Sequence, residues 1–185
     1  MSAAENDARV EILSERDLRK TLVRLATQVL EGVDDSHRLM LLGIPTRGVQ
    51  LSKVLAHELE QLTGHAIAQG SLDPTFHRDD LERIGTRLPQ LTQLPNSVEG
   101  RQVVLVDDVI FTGRTVRAAL EALQGWGRAE RVMLLALVDR GHRELPIQPD
   151  FCGRVVQTRR SETIELRLKD VDGEEGVFLR SLRLP

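Results

Sequence analysis

Two adjacent carboxylates, Asp107 and Asp108, stand just upstream of the cluster Thr112-Gly113-Arg114-Thr115. The combination suits a sugar phosphate. Hydroxyls of Thr112 and Thr115, backbone N–H groups that Gly113 leaves open to close approach, and the positive end of a following helix make a phosphate cradle. Carboxylates beside such a cradle can accept hydrogen bonds from vicinal sugar hydroxyls. A second cluster, Pro45-Thr46-Arg47-Gly48, presents the planar guanidinium of Arg47, whose fork fits a pyrophosphate. Read alone, the acidic pair is equally the cap of an ordinary strand-to-helix turn. Two complementary loops are more telling than either one.

The elements that must position these residues follow from periodicity. Val103, Val104, Leu105 and Val106 form an apolar run fit for a buried strand of a parallel sheet, meeting its loop at the two aspartates. Val109, Ile110 and Phe111 lead into the cradle, and Val116, Ala119, Leu120 and Leu123 then recur at helical spacing. Arg38 to Ile44 reads as a second buried strand, followed by a helix with Leu51, Val54, Leu55, Leu59 and Leu62 inward. His65 to Leu72 and Arg131 to Val138 read as further strands. The latter ends in an unusually charged loop, Asp139 to Ile147, on the side where parallel sheets bind ligands.

Upstream, Ser14 caps a predicted helix to about Glu31, with Leu18, Leu22, Leu25 and Val29 inward and Gly32 ending it. Arg16, Lys20 and Arg24 make a basic stripe on its outer side, which taken alone is a solvated face. From Asp73 to Gln102 periodicity fades, and the stretch reads as a long mobile excursion over the site, of the kind that serves as a water-excluding lid. Arg78 and Arg87 are its candidates to reach a pyrophosphate, and His77 reads as a surface histidine. Thr163 to Leu184 alternates around an Asp172-Gly173 turn, predicting a hairpin or small strand cap.

At 185 residues the chain is expected to form one domain with a substantial core. A net charge of −3 supplies no whole-molecule attraction for nucleic acid or membrane, so such binding needs a local patch. Cys152 is the sole cysteine, which excludes a disulfide framework or cysteine metal site within one chain. The polar, acidic N-terminus is unlike a signal peptide, and no apolar run approaches membrane-spanning length, so a cytoplasmic protein is expected.

The thirteen residues VVLVDDVIFTGRT (103–115) resemble the phosphoribosyl-pyrophosphate (PRPP) motif of type I phosphoribosyltransferases. With PTRG (45–48), HRDDL (77–81), LVDRGHRELPI (137–147) and RRSE (159–162), in that order, the chain resembles the bifunctional pyrimidine operon regulatory protein/uracil phosphoribosyltransferase family. That resemblance implies an α/β fold with a central parallel sheet flanked by helices and a small hood over the strand ends. The hood corresponds to a strand-rich cap at about 153–185. It implies uracil as acceptor, Mg²⁺ with PRPP as donor, UMP and pyrophosphate as products, and a homodimer or higher oligomer. The metal would be held by substrate oxygens and water more than by protein.

Carried onto this sequence, the resemblance gives PRPP binding to Thr46, Arg47 and the stretch Val103 to Thr115. Asp107 and Asp108 would hold the ribose, with Arg78 joining them in catalysis. Arg78, Asp79 and Arg87 belong to the lid, and Val138, Asp139 and Arg140 face the base. It also implies UMP- or UTP-responsive RNA binding, with Arg24, Arg154 and Arg160 as contacts, and regulation of pyrimidine genes by transcription attenuation. Phe111 stands where purine-salvage relatives carry an acidic residue able to serve the purine N7, which favours a pyrimidine. A transferase for another base, or a regulator with little catalysis, is the alternative. The chain departs from the family's pattern at Pro74, His77, Val23, Thr27 and Arg154.

Overall fold

The computed structural model describes residues 9–45, 47–79 and 89–181. Its centre is a parallel five-stranded sheet in the order β3-β2-β4-β5-β6, with β2 at Leu39–Gly43, β3 at Ala68–Ser71, β4 at Gln102–Ile110, β5 at Arg131–Asp139 and β6 at Phe151–Val155. Helices α1 (Glu15–Gly32) and α2 (Arg47–Thr63) cover one face, and α3 (Arg114–Gln124) covers the other. Because helices cover both faces, β2 is apolar throughout and wholly buried, as are Val103–Val106 of β4. A separate antiparallel sheet, β1-β8-β7, forms the hood from Arg9–Leu13, Gly176–Ser181 and Glu162–Arg167, with a single helical turn, α4 (Lys169–Asp172), between β7 and β8.

The connections explain where a ligand can sit. The crossover after β2 runs outward to β3, whereas that after β4 runs the other way to β5. Neighbouring strands that diverge like this leave a crevice beyond their carboxyl ends. The register brings Gly43 beside Val106, and Ile44 N–H donates to Val106 O at 2.9 Å. The carboxyl ends of β2 and β4, after which α2 and α3 begin, therefore lie side by side.

Several expectations shift by local physics. The β4 strand does not stop at the aspartates; it runs on to Ile110, because β5 continues to pair with it through Ile110↔Asp139. Gly32 is the last helical residue of α1 and not a left-handed stop; a Cβ there would meet the Phe151 ring at 2.8 Å. Leu62 and Leu120 are outward-facing, lying off the apolar stripes of their helices. Strand β1 lies in a stretch whose polar composition gave no strand signal. It is recruited by the free edge of β8, pairing Arg9 with Arg180 across nearly the whole chain. Gly153, Arg154 and Val155 extend β6 in the main sheet, so the cap expected from about 153 begins in the sheet and also draws in β1. The hood shares the main core through Leu13, Ile164, Leu166, Leu168 and Val177.

Candidate active site

The cradle forms where β4 hands over to α3. Gly113 is the N-cap of α3 at φ 92°, a left-handed conformation that costs an L side chain about 1–2 kcal/mol and a glycine nothing. The first-turn N–H groups of α3 have no intrahelical acceptor and point out of the helix end. A cavity of about 260 Å³ lies against them, lined by Arg78, Asp107, Val109 to Val116 and Glu144. Asp107, Val109, Ile110, Phe111, Thr112, Gly113, Arg114 and Thr115 thus line one cavity, and Asp108 and Arg47 are not part of its lining. Val103, Val104, Leu105 and Val106 do not line the cavity; they are inaccessible core residues that carry the site from below.

The two aspartates are unequal. Asp107 faces the cavity, and its Oδ1 accepts the Asp108 N–H at 3.1 Å. Burial pushes the Asp108 carboxyl above the usual carboxylate range, opposed by the adjacent Asp107 carboxyl, local backbone N–H groups and the charge of Arg47. Arg47 is the first residue of α2, and Gly48 behind it is a packing requirement more than a loop device. A Cβ on Gly48 would come within 2.3 Å of Val106 O. Arg47 Nη2 donates to Asp172 Oδ1 of α4 at 2.6 Å. Thr46 and Arg87 lie outside the described residues.

Arg78 donates to the Thr115 hydroxyl, so it sits on the phosphate cradle. Asp79 pairs with Arg114 at 2.8 Å, and Arg117 donates to His77 O, fixing the root of the lid segment to α3. His77 faces Glu121 at 3.5 Å on the outer side of that helix.

On the base side, Val138 has its side chain in the core, leaving only its backbone to face a ligand. Asp139 is consumed by its own loop: it accepts from Gly141 N–H at 2.9 Å and from Arg143 Nη2 at 2.6 Å. Arg140 is buried, its Nε on Thr158 Oγ1 and its Nη2 on Arg159 O, and its guanidinium stacks 4.2 Å from the Phe111 ring centroid.

Sequence reasoning missed Arg143 and Glu144. Arg143 also donates to Phe111 O and Ile147 O, both at 2.8 Å, while Thr112 O accepts from Glu144 N–H at 2.9 Å. Glu144 then bridges Arg114 and Arg160. The charged loop is stitched to the cradle by bonds that no spacing rule reveals.

The basic residues separate into two places. Arg24 is exposed on α1 and reaches the carbonyls of Cys152 and Gly153 on edge strand β6, and Arg154 on that strand donates to Ile12 O. Those two share one face. Arg160 does not join them; its attraction to Glu144 places it at the mouth of the cleft, 6.0 Å from the Phe111 ring. No helix among the described residues is long and apolar enough to cross a membrane.

Residues 10–164 match the phosphoribosyl transferase domain family. Over 171 residues the chain is 55% identical to the bifunctional protein PyrR of Thermosynechococcus vestitus, covering 92% of this chain and 93% of that one. The PyrR of Nostoc punctiforme is 51% identical over 92% and 96% of the two chains. That of Leifsonia xyli is 46% identical over 91% and 94%. Among solved structures, a hypoxanthine phosphoribosyltransferase from Staphylococcus aureus is similar at a TM-score of 0.71, covering 98% of this chain and 95% of that one, at 18% identity. At that identity the likeness bears on fold alone. The Thr112–Thr115 loop and the arginine-bearing start of α2 follow neighbouring strands of this sheet, and the chain belongs to the phosphoribosyltransferase family, in its bifunctional PyrR group.

Proposed function

We propose that the chain transfers phosphoribosyl from PRPP to uracil, giving UMP and pyrophosphate, and that it regulates pyrimidine genes by UMP- or UTP-responsive RNA binding and transcription attenuation. The observation that supports the enzymatic reading is that Asp107 and the Thr112–Thr115 loop line one cavity, while Arg47 starts the helix after the neighbouring strand, close enough for its charge to act on Asp108. The cradle N–H groups and α3 terminus hold the 5′-phosphate. Asp107 and Asp108 accept bonds from the ribose hydroxyls. The C1′–pyrophosphate bond breaks to an oxocarbenium-like sugar, which N1 of uracil attacks as the N1 proton passes to the departing pyrophosphate or to water. No covalent nucleophile is needed; the protein positions the reactants and stabilises developing charge.

The donor set suits a hard cation carried in with PRPP. Asp107 and Asp108 supply hard oxygen donors. Mg²⁺ would then sit among substrate oxygens and water, with the aspartates as its nearest protein groups, and would neutralise charge on the leaving pyrophosphate.

Phe111 supports a pyrimidine. It offers no carboxylate to a purine N7, and the Arg140 guanidinium packed on its ring narrows the base side. RNA binding draws support from the exposed Arg24 and Arg154 on one face. A homodimer or higher oligomer in the cytoplasm completes the proposal. The test offers uracil, hypoxanthine, guanine and orotate separately with PRPP and Mg²⁺. UMP from uracil alone is expected, and efficient IMP or GMP formation would overturn the base assignment.

A further inference from the structure

The hood makes a direct ion pair with the start of α2. Asp172 closes α4, and its Oδ1 lies 2.6 Å from Arg47 Nη2. The Asp172 side chain is 7% exposed and Arg47 26%, so solvent screens this contact less than a surface pair. Asp172 is not loosely placed. Its Oδ2 accepts the Leu168 N–H at 2.8 Å, and Leu168 belongs to the core shared by hood and sheet. Burial alone would raise its carboxyl, but the Leu168 N–H and the Arg47 charge hold it below the usual range, so it is an anion at neutral pH.

We propose that Asp172 is an affinity-setting residue that competes with the pyrophosphoryl group for Arg47, weakening the binding of both PRPP and product pyrophosphate. This rests on the reading of Arg47 as a pyrophosphate ligand. The guanidinium fork matches a phosphate edge bidentately, but one of its nitrogens is already on a carboxylate. An arriving pyrophosphate must displace that contact or share the arginine with a fixed negative charge. Either way its binding is weaker than Arg47 alone would give.

A fallback partner makes the exchange feasible. Arg167 Nη1 stands 3.7 Å from the same Asp172 oxygen. Its Nη2 is paired with Glu165 Oε1 at 2.6 Å, and its Nε is buried with no hydrogen bond to any described residue. When Arg47 turns to the ligand, Arg167, which Asp172 shares with Glu165, stays beside the Asp172 carboxylate and limits the cost of leaving it without Arg47. Release of pyrophosphate is favoured by the return of Arg47 to Asp172, which keeps the product from occupying the site.

Asp172→Asn tests this. The amide oxygen can still accept from Leu168 N–H, so the fold of α4 is kept, and a melting curve checks it. Titrated with inorganic pyrophosphate in a calorimeter, the variant should bind about tenfold more tightly than wild type, the lower end for close charge pairs. Affinity for UMP, which lacks the pyrophosphoryl group, should be unchanged. In an Arg47→Ala background the same substitution should have no effect on pyrophosphate. Equal or weaker pyrophosphate binding by Asp172→Asn overturns the proposal, as does a matching change in UMP affinity or an effect that survives Arg47→Ala. If wild type and Arg47→Ala bind pyrophosphate equally, Arg47 is no pyrophosphate ligand and the reading beneath the proposal fails instead.

Discussion

The two halves of the cleft are built on different plans. The phosphate half is one continuous stretch, Asp107 to Thr115, in which a strand end passes into a helix start. Neighbours in sequence are neighbours in space, and the backbone supplies much of the chemistry. The opposite half is pieced from distant segments. Arg47 meets Asp172 at a separation of 125 residues, and Arg140 is held by Thr158 and Arg159. A continuous half is set by local geometry, whereas an assembled half depends on contacts elsewhere and can be tuned through them.

The largest effect is expected in the continuous half. Replacing Asp107 and Asp108 together by Asn should nearly abolish UMP synthesis while the fold survives, since charge stabilisers commonly contribute about 10²–10³ each in rate. Near-native turnover of the double variant, with circular dichroism unchanged, would remove these residues from the ribose.

The seam between the halves comes next. Arg143→Ala strips Asp139 of its buried partner and Phe111 O of a donor. Breaking one side of a buried pair costs about 3 kcal/mol or more. For a chain of this size that lowers Tm by roughly 6–12 °C. Scanning calorimetry showing a drop under about 2 °C would mean the charged loop is not fixed to the cradle through this arginine.

A smaller, pH-dependent effect separates Asp108 from its neighbour. A carboxyl raised by burial contributes stability below the usual carboxylate range and loses it as pH climbs through the elevated value. Asp108→Asn does not titrate, so its Tm relative to wild type should rise as pH climbs above the usual carboxylate range, about pH 4. A constant difference over that climb would show that Asp108 ionises normally in the folded protein.

The smallest effect lies on the outer face. If Arg24 contacts RNA phosphate, Arg24→Ala should flatten the slope of log K against log salt by about 0.7 to 1 with pyrimidine leader RNA. An unchanged slope would leave Arg24 as a strut for strand β6, the work its bonds to Cys152 and Gly153 already perform. The same measurement on Arg160→Ala should show no flattening, because that side chain is engaged with Glu144 at the cleft.

Sequence by itself determined the parts governed by short-range rules. Apolar runs of strand length, helical stripes and a glycine before a helix are local, and they located β2, β4, β5, the three long helices and the cradle. The PRPP-like stretch was legible because its chemistry is contiguous. Strand β1 was not, since an edge strand is specified by the partner edge that accepts it, here 167–171 residues away at Glu11↔Phe178 through Arg9↔Arg180. The occupation of Asp139 by Arg143, the departure of Arg160 from the basic face and the hold of Asp172 on Arg47 were likewise invisible. Each pairs charges that many other partners in a chain with 25 basic and 28 acidic side chains could have satisfied. Periodicity fixes which face of an element is buried, but a salt bridge has no period. Only the packing of the hood and loops onto the sheet chose among those partners.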